Sequence, residues 1–445
     1  MEEKMKRALS VLLIGMTAVS MLGGCGSTKN AASSSSSVDE TTAAAGSSTK
    51  ANADYKGTLE VWGWTTDPEY QVTAFEKAYP NVKVNYTQIG TDYDTKIQTV
   101  IENGTKGPDV FYSDVKNVKY YIDADAWENL SAAPYNADTS DEVPYCKEVA
   151  SDADGNVRAL TYQATPGGFW YKRDLAKKYL GTDDPAEVSK MLSTMDGLMD
   201  AAEKIKTGSG DKTHMFAGTN DLWTFANYGY RTSPWVTDGN FTMDPYISDF
   251  FDLAKKVRDN DYDAKLTWWS DEWIASTSND SVFGYCLPTW GLEYVIQTGA
   301  PNSKGNWGLA SMPKSYFNGG SFLGIYKGSK NKDLAWLYVN FVGTNKDFLT
   351  QFVKDKSDYT SSVSVNEAVS KDYTNDWCGG QNTMEYFNSQ LESINTKIVT
   401  KYDDTIGNLL MNNVNLYLDG TLTKDAAIAQ FKDDVSTNCR DVKVN

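Results

Sequence analysis

"LEVWGWTTDPEYQVTAFEKAYPNVKVNYTQI", residues 59–89, sets the fold of this chain. Residues 58–64 read as a β-strand ending in two tryptophans, Trp62 and Trp64, around a glycine. Asp67 and Pro68 then stand where a helix takes its N-cap and its first residue, which predicts a helix over 67–79. "NVKVNYTQI" alternates Val82, Val84 and Tyr86, the period of a half-buried strand. Strand, helix and strand in this order form a βαβ unit.

The pattern continues outward. "TDYDTKIQTVIENG" puts Tyr93, Ile97, Val100 and Ile101 on one helical face, closed by Asn103-Gly104. "GPDVFYSD" is a strand that ends at Asp114, the expected N-cap of a helix carrying Val118, Tyr121 and Ile122. "VRALTYQA", 157–164, reads as another strand. The reading is an α/β fold with a parallel sheet and helices on both faces. Such sheets bind ligands beyond the carboxyl ends of their strands, where Trp64, Asp114 and residues 162–165 fall. Trp62, in mid-strand, reads as core, and Trp64 as facing ligand.

After "TPGG" the alternation restarts. "FWYKRDLAKKYLG" is a strand turning into a helix, and "DPAEVSKMLSTMDGLMDAAEKIK" one long helix from Asp184-Pro185. "THMFAG" reads as a strand with His214 in a structural role. "DPYISDFFDLAKKVRDN" is a helix with Ile247, Phe250, Phe251, Ala254 and Val257 inward. "SVFGYCLPTWGLEYVIQ" gives a strand, a turn and a helix opening near Thr289-Trp290. Two strands and a helix follow in "NWGLASMPKS", "GGSFLGIYKG" and "NKDLAWLYVNFVG"; the remainder is helical with Tyr- and Asn-rich faces.

The N-terminus carries Lys4, Lys6 and Arg7 and then an apolar run from Ala8 to Leu22, too short to span a bilayer. It reads as a signal peptide, 1–24. "LGGC" resembles the lipobox of bacterial lipoproteins, which implies cleavage before Cys25 and lipidation of that cysteine. Residues 25–54 are rich in Ser, Ala and Thr without apolar periodicity, the composition of a flexible linker. The expected location is extracytoplasmic, tethered to the bacterial membrane by lipid on Cys25.

The chain of 445 residues is long enough for two domains once the leader and linker are set aside. Its net charge of −17 argues against nucleic acid, anionic lipid surfaces and polyanionic substrates as partners. Aromatic residues make up 13% of the chain, with 13 Trp and 27 Tyr, more than an ordinary core takes up. His214 is the single histidine, which excludes a His-ligated metal cluster; no metal and no cofactor is expected. Cys146, Cys286, Cys378 and Cys439 allow three disulfide pairings, yet a core of this size needs no staples, which favours free thiols.

The chain resembles the extracellular solute-binding proteins of bacterial ABC importers, family 1, the maltose-binding-protein-like group. The resemblance spans roughly 58–440. It is carried by the order and spacing of "LEVWGW", "AFEKAYPNVKVNY", "NGTKGPDVFYSD", "GGFWYKRDL", "LPTWGLE", "GGSFLGI", "KNKDLAWLYVNFV" and "LYLDGTLTKDAAIAQFKDDV". It implies a periplasmic-binding-protein-like α/β fold of the class II type: two lobes, 55–165 with 313–345 and 166–312 with 346–445, joined by a hinge crossed several times. It further implies a monomer that is not an enzyme and has no catalytic residues. Its partners would be an oligosaccharide and the transmembrane subunits of an ABC permease.

Carried over position by position, the resemblance assigns ligand contacts to Trp64, Thr65 and Asp67 at the end of the first strand and to Asp114. It adds Tyr162, Gln163 and Thr165 on the hinge side, Trp290 from "LPTW", and Trp377 and Gln381 from "WCGGQ". The family motif has glycine where this chain has Leu287. A pyranose has a polar rim and an apolar C–H face, so a flat indole flanked by carboxylates and amides suits it. Trp170, Trp223, Trp235, Trp268, Trp269 and Trp273 are further candidates, with packing as the competing reading. Two other functions fit the sequence. One is a secreted glycoside hydrolase using two of the many carboxylates. The other is a binding protein for a peptide, polyamine or anion.

Overall fold

The computed structural model describes residues 52–444. The signal peptide, Cys25 and nearly all of the linker lie outside the described residues.

Ten strands, β1 (Gly57–Gly63), β2 (Val82–Gln88), β3 (Val110–Asp114), β4 (Leu160–Thr161), β5 (Gly167–Lys172), β6 (Val236–Thr237), β7 (Asn240–Phe241), β8 (Gly284–Pro288), β9 (Trp307–Ala310) and β10 (Ser321–Ile325), form three sheets among the described residues. The first sheet has the order β2-β1-β3-β10-β4. β1 lies parallel to both β2 and β3, with Leu59 beside Val84 and Val61 beside Val110. β10 runs antiparallel between β3 and β4. The second sheet, β8-β5-β9, is antiparallel, and β6-β7 is a small hairpin. The chain passes from the first sheet to the second between Thr161 and Gly167 and returns between Ala310 and Ser321.

Alternation decides which side chains enter the core of the first sheet. Leu59 and Val61 on β1 are fully buried, and Trp62, which follows Val61, is half-buried, with the Lys96 ammonium 4.8 Å above its ring. The expectation that Trp62 is core is therefore corrected: parity turns it to the opposite face, where Lys96 of the helix Tyr93–Asn103 lies over it. That helix buries Tyr93, Ile97 and Val100 and ends on Gly104 in the left-handed region, as its spacing predicts. The largest fully buried side chains are Trp127, Trp170, Trp235, Trp273 and Trp307.

Three other expectations change. The helix expected over 184–206 is two helices, Pro185–Leu192 and Met195–Ser209. The Asp184 carboxylate caps the first, accepting from the amides of Ala186 and Glu187, and the Thr194 hydroxyl caps the second, accepting from Gly197. A Thr offering its own cap competes with continued helix. The strand expected over 157–164 is reduced to Leu160–Thr161, flanked by isolated bridges at Val157 and Gln163. "THMFAG" is not a strand but makes two isolated parallel bridges, from His214 and Phe216.

Cys146, Cys286, Cys378 and Cys439 are buried free thiols. Among the described residues no helix is long and apolar enough to cross a membrane.

Candidate ligand-binding site

A cavity of about 630 Å³ opens between the carboxyl edge of the first sheet and the elements that follow the second. Trp64, Thr65 and Asp67 follow β1 into its wall; the helix Tyr93–Asn103 brings Tyr93 and Asp94; the end of β3 and the helix it starts bring Asp114 and Lys116. Gln163 comes from the segment after β4, and Asn318, Gly319 and Gly320 precede β10. The opposite wall starts with Trp290 and Tyr294 after β8. The helix Thr219–Gly229 adds Asn220, Trp223, Asn227 and Tyr228. Trp268 and Trp269 come from a loop, and Asp403, Asp404 and Asn408 from the helix Asp403–Leu418.

The aromatic residues stand in two groups. Trp290 lies nearly parallel to Trp269, with centroids 5.9 Å apart and planes at 22°. Trp269 is the one exposed large hydrophobic residue among those described, at 47%, and its φ of 62° turns the loop sharply. Trp64 leans on Tyr93 at 5.5 Å. The Trp290 indole is fixed by donating its Nε1–H to the Asn318 carbonyl at 3.1 Å. Gly319 has φ 72°, and a Cβ there would stand 2.9 Å from Trp290 Nε1 and 3.7 Å from Asp114 Oδ2. Only glycine lets this turn pass between the two walls.

Each carboxylate is held differently. Asp67 is not the N-cap expected of it; Thr66 occupies that position without a side-chain bond. Two phenols take the Asp67 carboxylate instead, Tyr162 donating to Oδ2 at 2.8 Å and Tyr294 to Oδ1. Asp114 does cap its helix, accepting from the Lys116 amide at 3.1 Å. Burial pushes the Asp114 carboxyl up to about 6; Lys116 works against this, and Asp94 and Asp404 add to it. Burial opposes the Lys116 charge, but Asp114 and Asp404 overcome it and hold that ammonium above its ordinary value. Its Nζ lies 2.8 Å from Asp404 Oδ1. Burial also raises Asp403, with the Arg231 guanidinium working against it.

Of the residues expected at the site, Trp64, Thr65, Asp67, Asp114, Gln163 and Trp290 are brought together around this cavity. Tyr162 and Thr165 stand behind it. Tyr162 is fully buried and orients Asp67; the Thr165 hydroxyl donates to the Gly319 carbonyl at 3.0 Å. Trp377 and Gln381 are placed elsewhere. The Gln381 amide accepts from Leu309 N–H at 2.9 Å and donates to its carbonyl at 2.7 Å, covering the free edge of β9, and the Trp377 carbonyl accepts from Gly305. That edge needs partners, which is the physical reason Gln381 is not in the cavity. Trp223, Trp268 and Trp269 do line it, whereas Trp170, Trp235 and Trp273 are core. Sequence reasoning missed Asp94, Tyr294, Asp403, Asp404 and the asparagines; "YDDTIGN" opening a polar-faced helix was the available signal.

Two sheets linked by crossing segments flank an aromatic and carboxylate-rich cavity, the layout of a ligand-binding protein. The model of the family described as bacterial extracellular solute-binding protein matches residues 71–378, and the chain belongs to that family. Its fold is that of solved relatives of low identity. One is an extracellular solute-binding protein family 1 structure, 20% identical, with TM-score 0.74 over 85% of this chain and 99% of that one. A second is the GacH receptor of Streptomyces glaucescens GLA.O, solved unliganded and with acarbose, 18% identical, with TM-score 0.71 over 87% of this chain and 100% of that one. A third is the ABC transporter associated binding protein from B. animalis subsp. lactis Bl-04 with beta-1,6-galactobiose, 19% identical, with TM-score 0.72 over 88% of this chain and 100% of that one.

Proposed function

We propose that this solute-binding protein captures a carbohydrate, an oligosaccharide, between two lobes and delivers it to the transmembrane subunits of an ABC importer. One observation carries the reading: indoles from both walls, Trp64 and Trp290, share a cavity with carboxylates and amides. Flat apolar faces beside hydrogen-bonding groups suit a sugar ring better than they suit a peptide or an inorganic anion. Trp64, Thr65, Asp67, Asp114, Gln163 and Trp290 are the proposed contacts, with Tyr162 and Thr165 supporting them. The lobes are 55–165 with 313–345 and 166–312 with 346–445, and closure between them encloses the sugar. The protein acts as a monomer outside the cytoplasm, tethered through lipid on Cys25.

The test is a glycan array followed by calorimetry on the hits and chromatography of the sugar after incubation. Binding with the sugar recovered intact is the expected result. Cleaved products would favour the hydrolase, and tight binding of peptides or polyamines with no glycan binding would overturn the carbohydrate reading.

A further inference from the structure

We propose that the cavity ranks saccharides by charge: a sugar bearing a protonated amine binds more tightly than its neutral counterpart, a uronate is rejected, and Asp114 reads the amine. This rests on the carbohydrate reading above and names the class of sugar.

The charged groups in the wall are Asp67, Asp94, Asp114, Asp403 and Asp404 against Lys116. That lysine is already engaged, 2.8 Å from Asp404 and next to Asp114. It has little attraction left to offer an incoming anion. Lone pairs are in surplus. One Asp114 oxygen accepts from the Lys116 amide, and the other faces the Gly319 turn. Asp403 is 6% exposed; Thr400 donates to its Oδ1, while Oδ2 accepts no hydrogen bond and has the Arg231 guanidinium nitrogen 3.9 Å away. A ligand carboxylate would enter a confined site whose like charges it cannot neutralise, where Coulomb repulsion is screened poorly.

An ammonium meets the opposite conditions. It supplies N–H donors where acceptors are in excess and charge where carboxylates gather. Trp64, Trp223, Trp269 and Trp290 offer ring faces that attract cations. Asp94 and Asp404 add to the preference of Asp114 for a proton, and a bound cation relieves that repulsion.

The experiment uses the folded protein at neutral pH. Gluco- and galacto-configured disaccharides in α-1,4, β-1,4 and β-1,6 linkages are each titrated as neutral, amine-bearing and uronate forms. On the backbone that binds best, the amine form is expected to bind about tenfold tighter than the neutral one, and the uronate about tenfold weaker or not at all. In Asp114→Asn the amine-to-neutral ratio should fall toward one; Asp404→Asn, measured alongside, should lower it too. Equal affinities for the three forms, a uronate that binds tightest, or an unchanged ratio in both variants would overturn the charge ranking and leave carbohydrate binding standing. No binding by any form of any backbone would overturn both.

Discussion

Tyr294 donates its phenolic hydrogen to the carboxylate of Asp67, joining the segment after β8 of the second sheet to the helix after β1 of the first. Tyr162 donates to the other oxygen from behind, at 2.8 Å. A direct bond therefore spans the two walls of the cavity. Tyr294→Phe removes one hydroxyl and leaves Asp67 with its second partner. The ligand-free variant should be more open, with a larger radius of gyration by X-ray scattering. Ligand affinity should drop by about 0.5–1.5 kcal/mol, the worth of one hydrogen bond. An unchanged scattering profile would show that this bond does not hold the cleft.

Two indoles separate binding from stability. Trp290→Ala should weaken sugar binding by about 2 kcal/mol or more, as for a buried aromatic anchor, with a small change in ligand-free melting. Trp127, fully buried and stacked on Phe111 at 5.0 Å, does not line the cavity. Trp127→Ala should cost about 3–5 kcal/mol of stability as a core truncation and leave the affinity of the folded fraction unchanged. Calorimetry paired with thermal melts reads both; early melting with normal binding in Trp290→Ala would make that indole core.

Asp114 gives a pH dependence with a fixed sign. Its carboxyl is pushed up to about 6 from 3.8, so between these values the folded chain holds a proton that the unfolded chain has lost. Through this group, stability grows as pH falls from about 7 toward 4 and is lost as pH rises through about 6. Asn caps a helix as well as Asp does. Asp114→Asn should therefore raise the ligand-free melting temperature near neutral pH and change it little at about pH 4. A difference curve that is flat across this range would contradict the assignment.

The four thiols give a simple measurement. Cys146, Cys286, Cys378 and Cys439 are buried, and burial raises each thiol above its ordinary value. The folded chain from Tyr55 onward should react with a thiol reagent slowly or not at all, and after denaturation without reductant it should show four groups. Fewer than four would reveal a disulfide.

Anchoring is tested by Cys25→Ala. The mature variant should leave the membrane fraction, because an acidic domain has no attraction for anionic lipid. Equal retention of the variant would place the anchor elsewhere.

What could be read from the sequence follows the range of the interaction concerned. Trp64 and Asp114 sit at strand ends, so the carboxyl-edge rule for α/β sheets found them without knowledge of any distant partner. Trp290 came from the local motif "LPTW". Asp67 was misread because Asp-Pro before a helix is a strong local signal, whereas its actual partners, Tyr162 and Tyr294, are remote in sequence. Gln381 was misread for the same reason: an amide bridging Leu309 can be foreseen only once the edge of β9 is in view. Asp403 and Asp404 lie on a helix whose orientation is set by packing rather than by its own pattern.

The position of β10 has a consequence for how the protein comes into being. Its backbone fills the slot between β3 and β4, with Ser321 beside Asp114 and Phe322 beside Thr161. A ribosome makes β1 to β4 long before it makes β10, so the emerging chain spends much of its synthesis with this sheet divided and two strand edges unpaired. The first sheet closes only after the whole second sheet has been made. Until then β3 and β4 lack the strand that lies between them, and the binding edge of the sheet cannot be completed.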